Sequence, residues 1–180
     1  MDQTPLEALN SRQLFGLYGR LLDELQRRRL VRTKNNPVAD YGEWIAAKAL
    51  DFELASKSTC GHDGVSECGK RYEVKCRRLT ASNPSRQLSP FRQLEGRHFD
   101  MFVGILFDKD FCVHKGCLVP FNVILERAVH REHVNGHIFH LRDEIWKVKG
   151  VEDITFELQQ AQDDSPDLIL SIGTPDTRIK

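Results

Sequence analysis

The sequence predicts a mixed α/β fold, in which a central sheet of four to five strands is flanked by helices and preceded by a helical extension. The spacing of the apolar residues predicts the element order helix, helix, strand, hairpin, strand, strand, helix. The 180 residues are enough for one domain with a substantial hydrophobic core. We expect an N-terminal helical extension at residues 1–34, a core domain at 35–158 and a loosely ordered tail at 159–180.

Two helices are predicted before the first strand. From Ser11 to about Leu30, large apolar residues recur at helical spacing, and arginines collect at the C-terminal end, where the helix dipole favours positive charge. The segment 33–37 ends in proline and interrupts this pattern. A second helix is predicted from about Val38 to Leu50, where small alanines suit close packing on a sheet.

The predicted strands come next. Strand-like segments occupy residues 52–55, 62–66, 71–78, 99–107, 111–119 and 137–141. The segments 62–66 and 71–78 flank the turn 67–69, which contains a glycine, and therefore predict a hairpin. The nearly continuous apolar run 99–107 is typical of a central buried strand. The polar segment 82–94 contains two prolines and predicts a loop with a helical turn, and a further helix is predicted from Pro120 to about Val129.

The charges are balanced overall but unevenly distributed. Lysine and arginine together number 26, as do aspartate and glutamate. Basic residues dominate between Arg20 and Lys34 and between Lys70 and Arg97, whereas acidic residues dominate from Gly150 onward. A neutral chain can therefore carry a basic face, which binding to phosphate requires. Solvated helix and loop surfaces are the alternative interpretation of both clusters.

Location and cofactor class are bounded by what the sequence lacks. No apolar run approaches the roughly 20 residues that span a bilayer, so we expect no membrane association. The N-terminus lacks the pattern of a signal peptide, and the five cysteines have no Cys-x-x-Cys pair, so we expect reduced thiols and a cytoplasmic location. No dinucleotide or phosphate-loop fingerprint is present, so no organic cofactor is expected.

The hairpin brings together the residues that suggest chemistry. If residues 67–69 form the loop, facing residues have numbers that sum to 136, so Asp63 lies opposite Glu73. Facing Cβ atoms in a sheet are about 4.5–5.5 Å apart. Lys75 is two residues beyond Glu73 and therefore projects from the same face. Two carboxylates and an ammonium group are thus predicted to converge, with Gly64 leaving room for a close approach of the backbone.

Such a group suits metal-assisted hydrolysis of a phosphodiester. Two neighbouring carboxylates repel each other unless a cation lies between them, and their oxygens match Mg²⁺ or Mn²⁺. The ion would activate water and polarise the phosphate, while Lys75 would position the water or the scissile phosphate. A Glu-x-Lys pair alone is more often a surface ion pair. Its conjunction with Asp63-Gly64 and a turn of the right length favours the catalytic interpretation.

This pattern resembles the PD-(D/E)xK nuclease superfamily, which includes restriction endonucleases, Holliday-junction resolvases and repair nucleases. Asp63 matches the first acid, Glu73 the second and Lys75 the lysine, whereas His62 stands where the motif name has proline. The resemblance covers residues 38 to about 119 and implies a restriction-endonuclease-like core: a helix, a three-stranded antiparallel meander, a helix and a further strand. It also implies a metal ligand on the helix before the meander, which Glu43 matches. A solvent-facing helix glutamate is the open alternative.

The resemblance implies DNA as the substrate, bound by basic and polar residues around the site. Arg77 shares the face of Lys75 and could hold phosphate, while Arg78 projects from the other face. Arg77, Arg78, Arg86, Gln87 and Arg92 are the candidate contacts to nucleic acid, and an ordinary surface loop is the alternative for those beyond residue 80. His62 could influence the metal-bound water or the phosphate.

We therefore expect a deoxyribonuclease that depends on Mg²⁺ or Mn²⁺, acting as an endonuclease in restriction, defence or repair. Asp63 and Glu73 would hold the metal with the Val74 carbonyl and Glu43, and Lys75 would act on the water. Because duplex cutting needs two active sites, a homodimer is expected. The alternative function is a catalytically inactive nucleic-acid-binding or assembly module with the same fold.

Overall fold

A computed structural model describes residues 5–56 and 61–164. Within these residues the order of helices and strands is α1 (Ser11–Arg27), α2 (Pro37–Leu50), β1 (Phe52–Leu54), β2 (Gly64–Ser66), β3 (Arg71–Arg78), β4 (Met101–Phe107), β5 (Val113–Pro120), α3 (Phe121–Arg127), β6 (Val129–Arg131), β7 (Gly136–Ile138), β8 (Glu152–Asp153) and α4 (Thr155–Asp163). Short 3-10 turns cover Leu6–Ala8, Leu94–Gly96, Glu132–Val134 and Asp143–Lys147. The predicted α/β class is confirmed.

Six strands form the central sheet, in the order β1-β2-β3-β4-β5-β8. Among the strands that the structure describes, only β3 and β4 pair in parallel, and the other neighbours are antiparallel. The sheet therefore has one strand more than the four to five predicted, and the strand that the prediction missed is the edge strand β8. Its two residues, Glu152 and Asp153, are exposed and pair with Leu118 and Cys117, so they carry no apolar alternation. Strands β6 and β7 form a separate two-stranded sheet.

The core has two halves, one on each face of the sheet. On one face, α2 and α4 pack against alternate sheet residues such as Val74, Val103 and Ile105. On the other face, an aromatic cluster that includes Phe91 and Phe102 lies under the chain between β3 and β4. Strand β4 is buried on both faces, as its continuous apolar run predicted.

The connection between β3 and β4 places the site. The resemblance implied an α-helix after the meander β1-β2-β3, but residues 79–100 form an irregular crossover whose regular part is the 3-10 turn Leu94–Gly96. Pro84 and Pro90 restrict the backbone there and remove two donors that an α-helix would need. The following α-helix, α3, comes only after β5. The crossover thus forms an irregular wall beside β3.

The N-terminal segment of the described chain is hydrogen-bonded to α2. Helix α1 begins with a capping box of Asn10 and Gln13, and α2 begins at Pro37 after its N-cap Asn36. Between these helices, the buried Asp40 side chain accepts hydrogen bonds from the backbone N–H groups of Arg32 and Thr33, at 2.8 and 2.6 Å. The predicted extension 1–34 is therefore anchored to α2 at its end.

The predicted tail begins later than expected. Residues 159–163 belong to α4, in which Leu158 and Ala161 are buried against the sheet. The Gln162 side-chain amide also donates hydrogen bonds to Tyr41 Oη and to the Phe111 carbonyl, at 2.9 and 2.7 Å. The prediction that the loosely ordered tail begins at residue 159 was therefore wrong. The helix was missed because its sequence contains few apolar residues. Residues 165–180 of the predicted tail lie outside the described residues.

Within residues 5–56 and 61–164, every helix is too short or too polar to cross a membrane.

Candidate active site

The hairpin β2-β3 has the predicted register. Gly64 pairs with Tyr72 and Val65 with Arg71, so facing residue numbers sum to 136 as the three-residue loop required. Asp63 directly precedes β2, and its backbone N–H donates to the Tyr72 carbonyl at 2.7 Å. Gly64 allows β1 to lie close, because a Cβ atom there would be 2.3 Å from the Phe52 ring. The hairpin thus extends in register to the level of Asp63 and Glu73.

The three predicted catalytic side chains lie together in one cleft. Asp63 Oδ2 accepts a hydrogen bond from the Val74 N–H at 2.7 Å, which fixes the carboxylate against β3. Lys75 Nζ donates to Glu73 Oε1 at 2.7 Å, and their side chains are only 11% and 16% exposed. We call this opening, with a volume of about 280 Å³, the carboxylate cleft; it is lined by Gly61, His62, Asp63, Glu73, Lys75, Pro90, Phe91, Arg92, Gln93, Leu94, His98 and Phe99.

Burial makes both acids of the cleft reluctant to ionise. It raises the pKa of Asp63, against the opposing effects of the Val74 N–H, of Lys75 and of Arg32. Burial also raises the pKa of Glu73, and the negative charge of Asp63 adds to this rise while Lys75 opposes it. A single ammonium group therefore does not fully compensate the two carboxylates, and a further cation in the cleft would stabilise their charged forms.

The donor set fits a hard divalent ion that keeps much of its water. Among the described residues, no hydrogen bond engages Asp63 Oδ1 or Glu73 Oε2, so each acid has an oxygen available. Within residues 5–56 and 61–164, no three His, Cys, Asp or Glu side chains lie close enough together to hold a metal ion among them. Two carboxylates match Mg²⁺, which proteins commonly hold through one or two acids with water and phosphate completing the shell. The predicted contribution of the Val74 carbonyl stays a prediction.

Glu43 lies beside the cleft but has a partner of its own. It shares a small cavity of about 180 Å³ with Arg32, His62 and Asp63. Its carboxylate forms an ion pair with the Arg32 guanidinium, which also donates to the Ala55 carbonyl at 2.8 Å. Glu43 therefore lies in the same small cavity as Asp63, with Arg32 as its counter-ion. Its role as a metal ligand stays a prediction.

Two of the predicted nucleic-acid contacts are engaged in holding the fold. Arg77 lies on the face of Glu73 and Lys75, as predicted, but it donates to Asn83 Oδ1 at 3.0 Å and to the Ser85 carbonyl at 3.2 Å. Arg78 projects from the other face, where it stacks on the Phe111 ring with its guanidinium carbon 4.4 Å from the ring centroid. This orientation is the one that the alternation of side chains predicts, and the role of Arg78 as a contact to nucleic acid stays a prediction.

The three remaining predicted contacts separate into two places. The exposed Arg92 lines the carboxylate cleft, as Lys75 does. Arg86 instead pairs with Asp143 at 2.9 Å, and Gln87 lines a different concave surface that includes His140. Of these three, Arg92 alone lines the same cleft as the predicted catalytic residues.

Sequence reasoning missed the side chains that the crossover contributes. The buried Phe91 ring lies under Lys75, with Nζ 4.7 Å from its centroid. His98 lines the cleft and packs so closely on Gly61 and Gly96 that a Cβ on either would come within 2.3 Å of it. A phenylalanine and a histidine in a polar loop carry no spacing signal. The paired charges of Arg32 and Glu43, 11 residues apart, carry none either.

The sequence was compared with protein-family models and with curated proteins. No protein-family model matches the sequence, and no curated protein matches it significantly.

The raised pKa of Asp63 predicts a stability effect that depends on pH. Between the ordinary pKa of the carboxyl and its raised pKa in the folded protein, the folded state binds more protons than the unfolded state, so stability falls as pH rises. Asp63→Asn does not titrate and keeps an oxygen for the Val74 N–H. We expect its melting temperature in EDTA to rise relative to that of the wild type as the pH increases above the ordinary pKa of the carboxyl.

The matched control is Asp51→Asn, which replaces an exposed carboxylate at the end of α2. Thermal unfolding of the three proteins at several pH values measures the effect. An Asp63→Asn advantage that stays constant or shrinks as pH rises would contradict the prediction.

Proposed function

We propose that this protein is a divalent-metal-dependent deoxyribonuclease of the PD-(D/E)xK type, which hydrolyses DNA phosphodiester bonds in restriction, defence or repair. The observation that carries the proposal is the convergence of Asp63, Glu73 and Lys75 in one cleft, in the register that the hairpin requires. Buried acids with incompletely compensated charge are typical of sites that bind cations and catalyse reactions. An exposed Glu-x-Lys ion pair would not combine burial, a second carboxylate and a cleft.

Each side chain has a distinct role in the proposed reaction. Asp63 and Glu73 would hold Mg²⁺ or Mn²⁺ with the Val74 carbonyl as a further ligand, and Glu43 would join them on releasing Arg32. When bound, such an ion supplies an activated water and stabilises the charge that develops on the phosphate. Lys75 orients the water or holds the scissile phosphate, and Phe91 beneath it keeps bulk water from one side of the ammonium group. Arg92 binds a phosphate oxygen at the rim of the cleft.

The test of this function is a plasmid cleavage assay with the purified protein. Supercoiled DNA is incubated with the protein in Mn²⁺ or Mg²⁺, and parallel reactions contain EDTA or Asp63→Asn with the same metal. We expect cleavage by the wild type that EDTA abolishes and that Asp63→Asn lowers by at least about a hundredfold, because one of two metal-holding carboxylates is lost. Metal-independent cleavage, or full activity of Asp63→Asn, would refute the proposal. Binding of DNA without any cleavage would favour an inactive binding module.

The same assay reports on the proposed homodimer. Helix α1 exposes an apolar stripe of Leu14, Phe15, Tyr18 and Leu21, of which Phe15 is 77% exposed. A patch of this kind marks an interaction surface, and a second copy would supply the second active site that a double-strand cut needs. We expect linear DNA to appear without accumulation of nicked circles. Accumulation of nicked circles before any linear product would indicate one active site per binding event.

A further inference from the structure

A second concave surface of the protein carries arginines that the proposed active site does not use. It has a volume of about 540 Å³ and lies between α3, the β6-β7 hairpin and the 3-10 turn Asp143–Lys147. We call it the basic groove; its charged and imidazole lining residues are Arg127, Arg131, His133, His140, Arg142 and Glu144. Three arginines and two histidines there face a single acid, Glu144.

The arginines of this groove are not engaged in holding the fold. Arg127, Arg131 and Arg142 are all exposed, and within residues 5–56 and 61–164 none of their guanidinium groups has a hydrogen-bond or ion-pair partner. Arg77, Arg78 and Arg86, by contrast, are all bonded to other parts of the protein. Free guanidinium groups on a concave surface concentrate positive potential and offer bidentate contacts to phosphate oxygens.

The basic groove and the carboxylate cleft lie along the same segment of chain. Residues 87–91 of the crossover pair with residues 137–140, through the Leu88 N–H to the Phe139 carbonyl at 3.0 Å and through the bridge between Phe91 and His137. Gln87 at one end lines the basic groove, and Phe91 at the other end lines the carboxylate cleft. Because Gln87 pairs with His140 and Phe91 with His137, the two ends of this segment lie at most about 10–13 Å apart, which corresponds to roughly three to four base pairs along a duplex.

We infer that the basic groove binds the phosphate backbone of the DNA that flanks the bond to be cut. The inference rests on the proposed nuclease function and adds the position of the substrate. One strand enters the carboxylate cleft past Arg92, and phosphates roughly three to four base pairs away lie against Arg127, Arg131 and Arg142. These contacts are to phosphate, so they add affinity and orientation without reading the base sequence.

The test measures binding separately from cleavage. Fluorescence anisotropy of a labelled 24-base-pair duplex in EDTA compares the wild type with Arg127→Ala/Arg131→Ala over a range of salt concentrations. We expect about tenfold or more weaker binding at 0.1 M salt, and a slope of log affinity against log salt that is smaller by about 2, since each lost phosphate contact removes about 0.9. The matched control is Lys48→Ala/Lys109→Ala, which removes two exposed lysines that line neither the basic groove nor the carboxylate cleft, and it should bind as the wild type does.

A charge-preserving variant separates charge from folding. Arg127→Lys/Arg131→Lys should keep most of the salt slope, and the melting temperatures of all variants should match the wild type. Equal binding by the groove variant and the lysine control would overturn the inference, even if the wild type cleaves plasmid. Weaker binding by the groove variant in a protein that never cleaves would support the groove and refute the nuclease function. A wild type that does not bind the duplex at all overturns the inference.

Discussion

Lys75→Ala is expected to lower the rate of metal-dependent DNA cleavage by about 10²–10⁴-fold, the range over which a positioned proton-transfer or orienting group contributes. The Lys75 ammonium group lies 2.7 Å from Glu73 Oε1 and lines the carboxylate cleft together with both acids, so it is placed beside the proposed metal ligands. Removing it leaves the two acids in place. Metal binding should therefore persist while cleavage is lost.

Three measurements separate this result from a loss of folding. Lys75→Met keeps an unbranched side chain over the Phe91 ring and should be as inactive as Lys75→Ala, with a melting temperature closer to the wild type. Lys70→Ala removes an exposed lysine from the turn of the same hairpin and should remain fully active. Mn²⁺ should stabilise both Lys75 variants and so raise their melting temperatures. At a metal concentration of 100 Kd, the free energy of unfolding should increase by about 2.7 kcal/mol. Retained cleavage in Lys75→Met would exclude a catalytic role for the lysine.

The geometry of the hairpin could be predicted from the sequence because its register depends on a local count. A loop of three residues fixes which residues face each other, and the alternation of side chains then places Lys75 beside Glu73. The same alternation sends Arg78 to the opposite face, onto Phe111. Local rules of this kind need no knowledge of the rest of the chain.

Features that depend on distant contacts could not be predicted in this way. Arg32 pairs with Glu43 because the segment before α2 folds back over the end of β1, a contact that no spacing indicates. The basic groove assembles arginines from α3, from β6 and from the chain before a 3-10 turn. Strand β8 forms because β5 offers it an edge, since its own residues are polar. In each case the tertiary environment, rather than the local pattern, determines the structure.

Leu158→Ala is expected to destabilise the protein by about 2–5 kcal/mol, the usual cost of removing a fully buried leucine side chain. Leu158 has no exposed surface and packs so tightly on β5 that a Cβ atom at Gly116 would lie 2.1 Å from it. It also belongs to the core cluster beneath α2, with Ile45 and Phe107. For a chain of this size, the loss corresponds to a fall in melting temperature of roughly 5–15 °C.

The control for this substitution lies on the same helix. Phe156 is 71% exposed, so Phe156→Ala removes a larger side chain but should change stability by no more than about 0.5 kcal/mol. Urea unfolding of both variants measures the contrast, and Leu158→Ala should lower the midpoint without changing the slope. The contrast is expected because α4 packs directly on β5. Strand β5 pairs with β4, which in turn pairs with β3, the strand that carries Glu73 and Lys75. Equal, small effects of the two substitutions would instead place residues 155–163 outside the folded core.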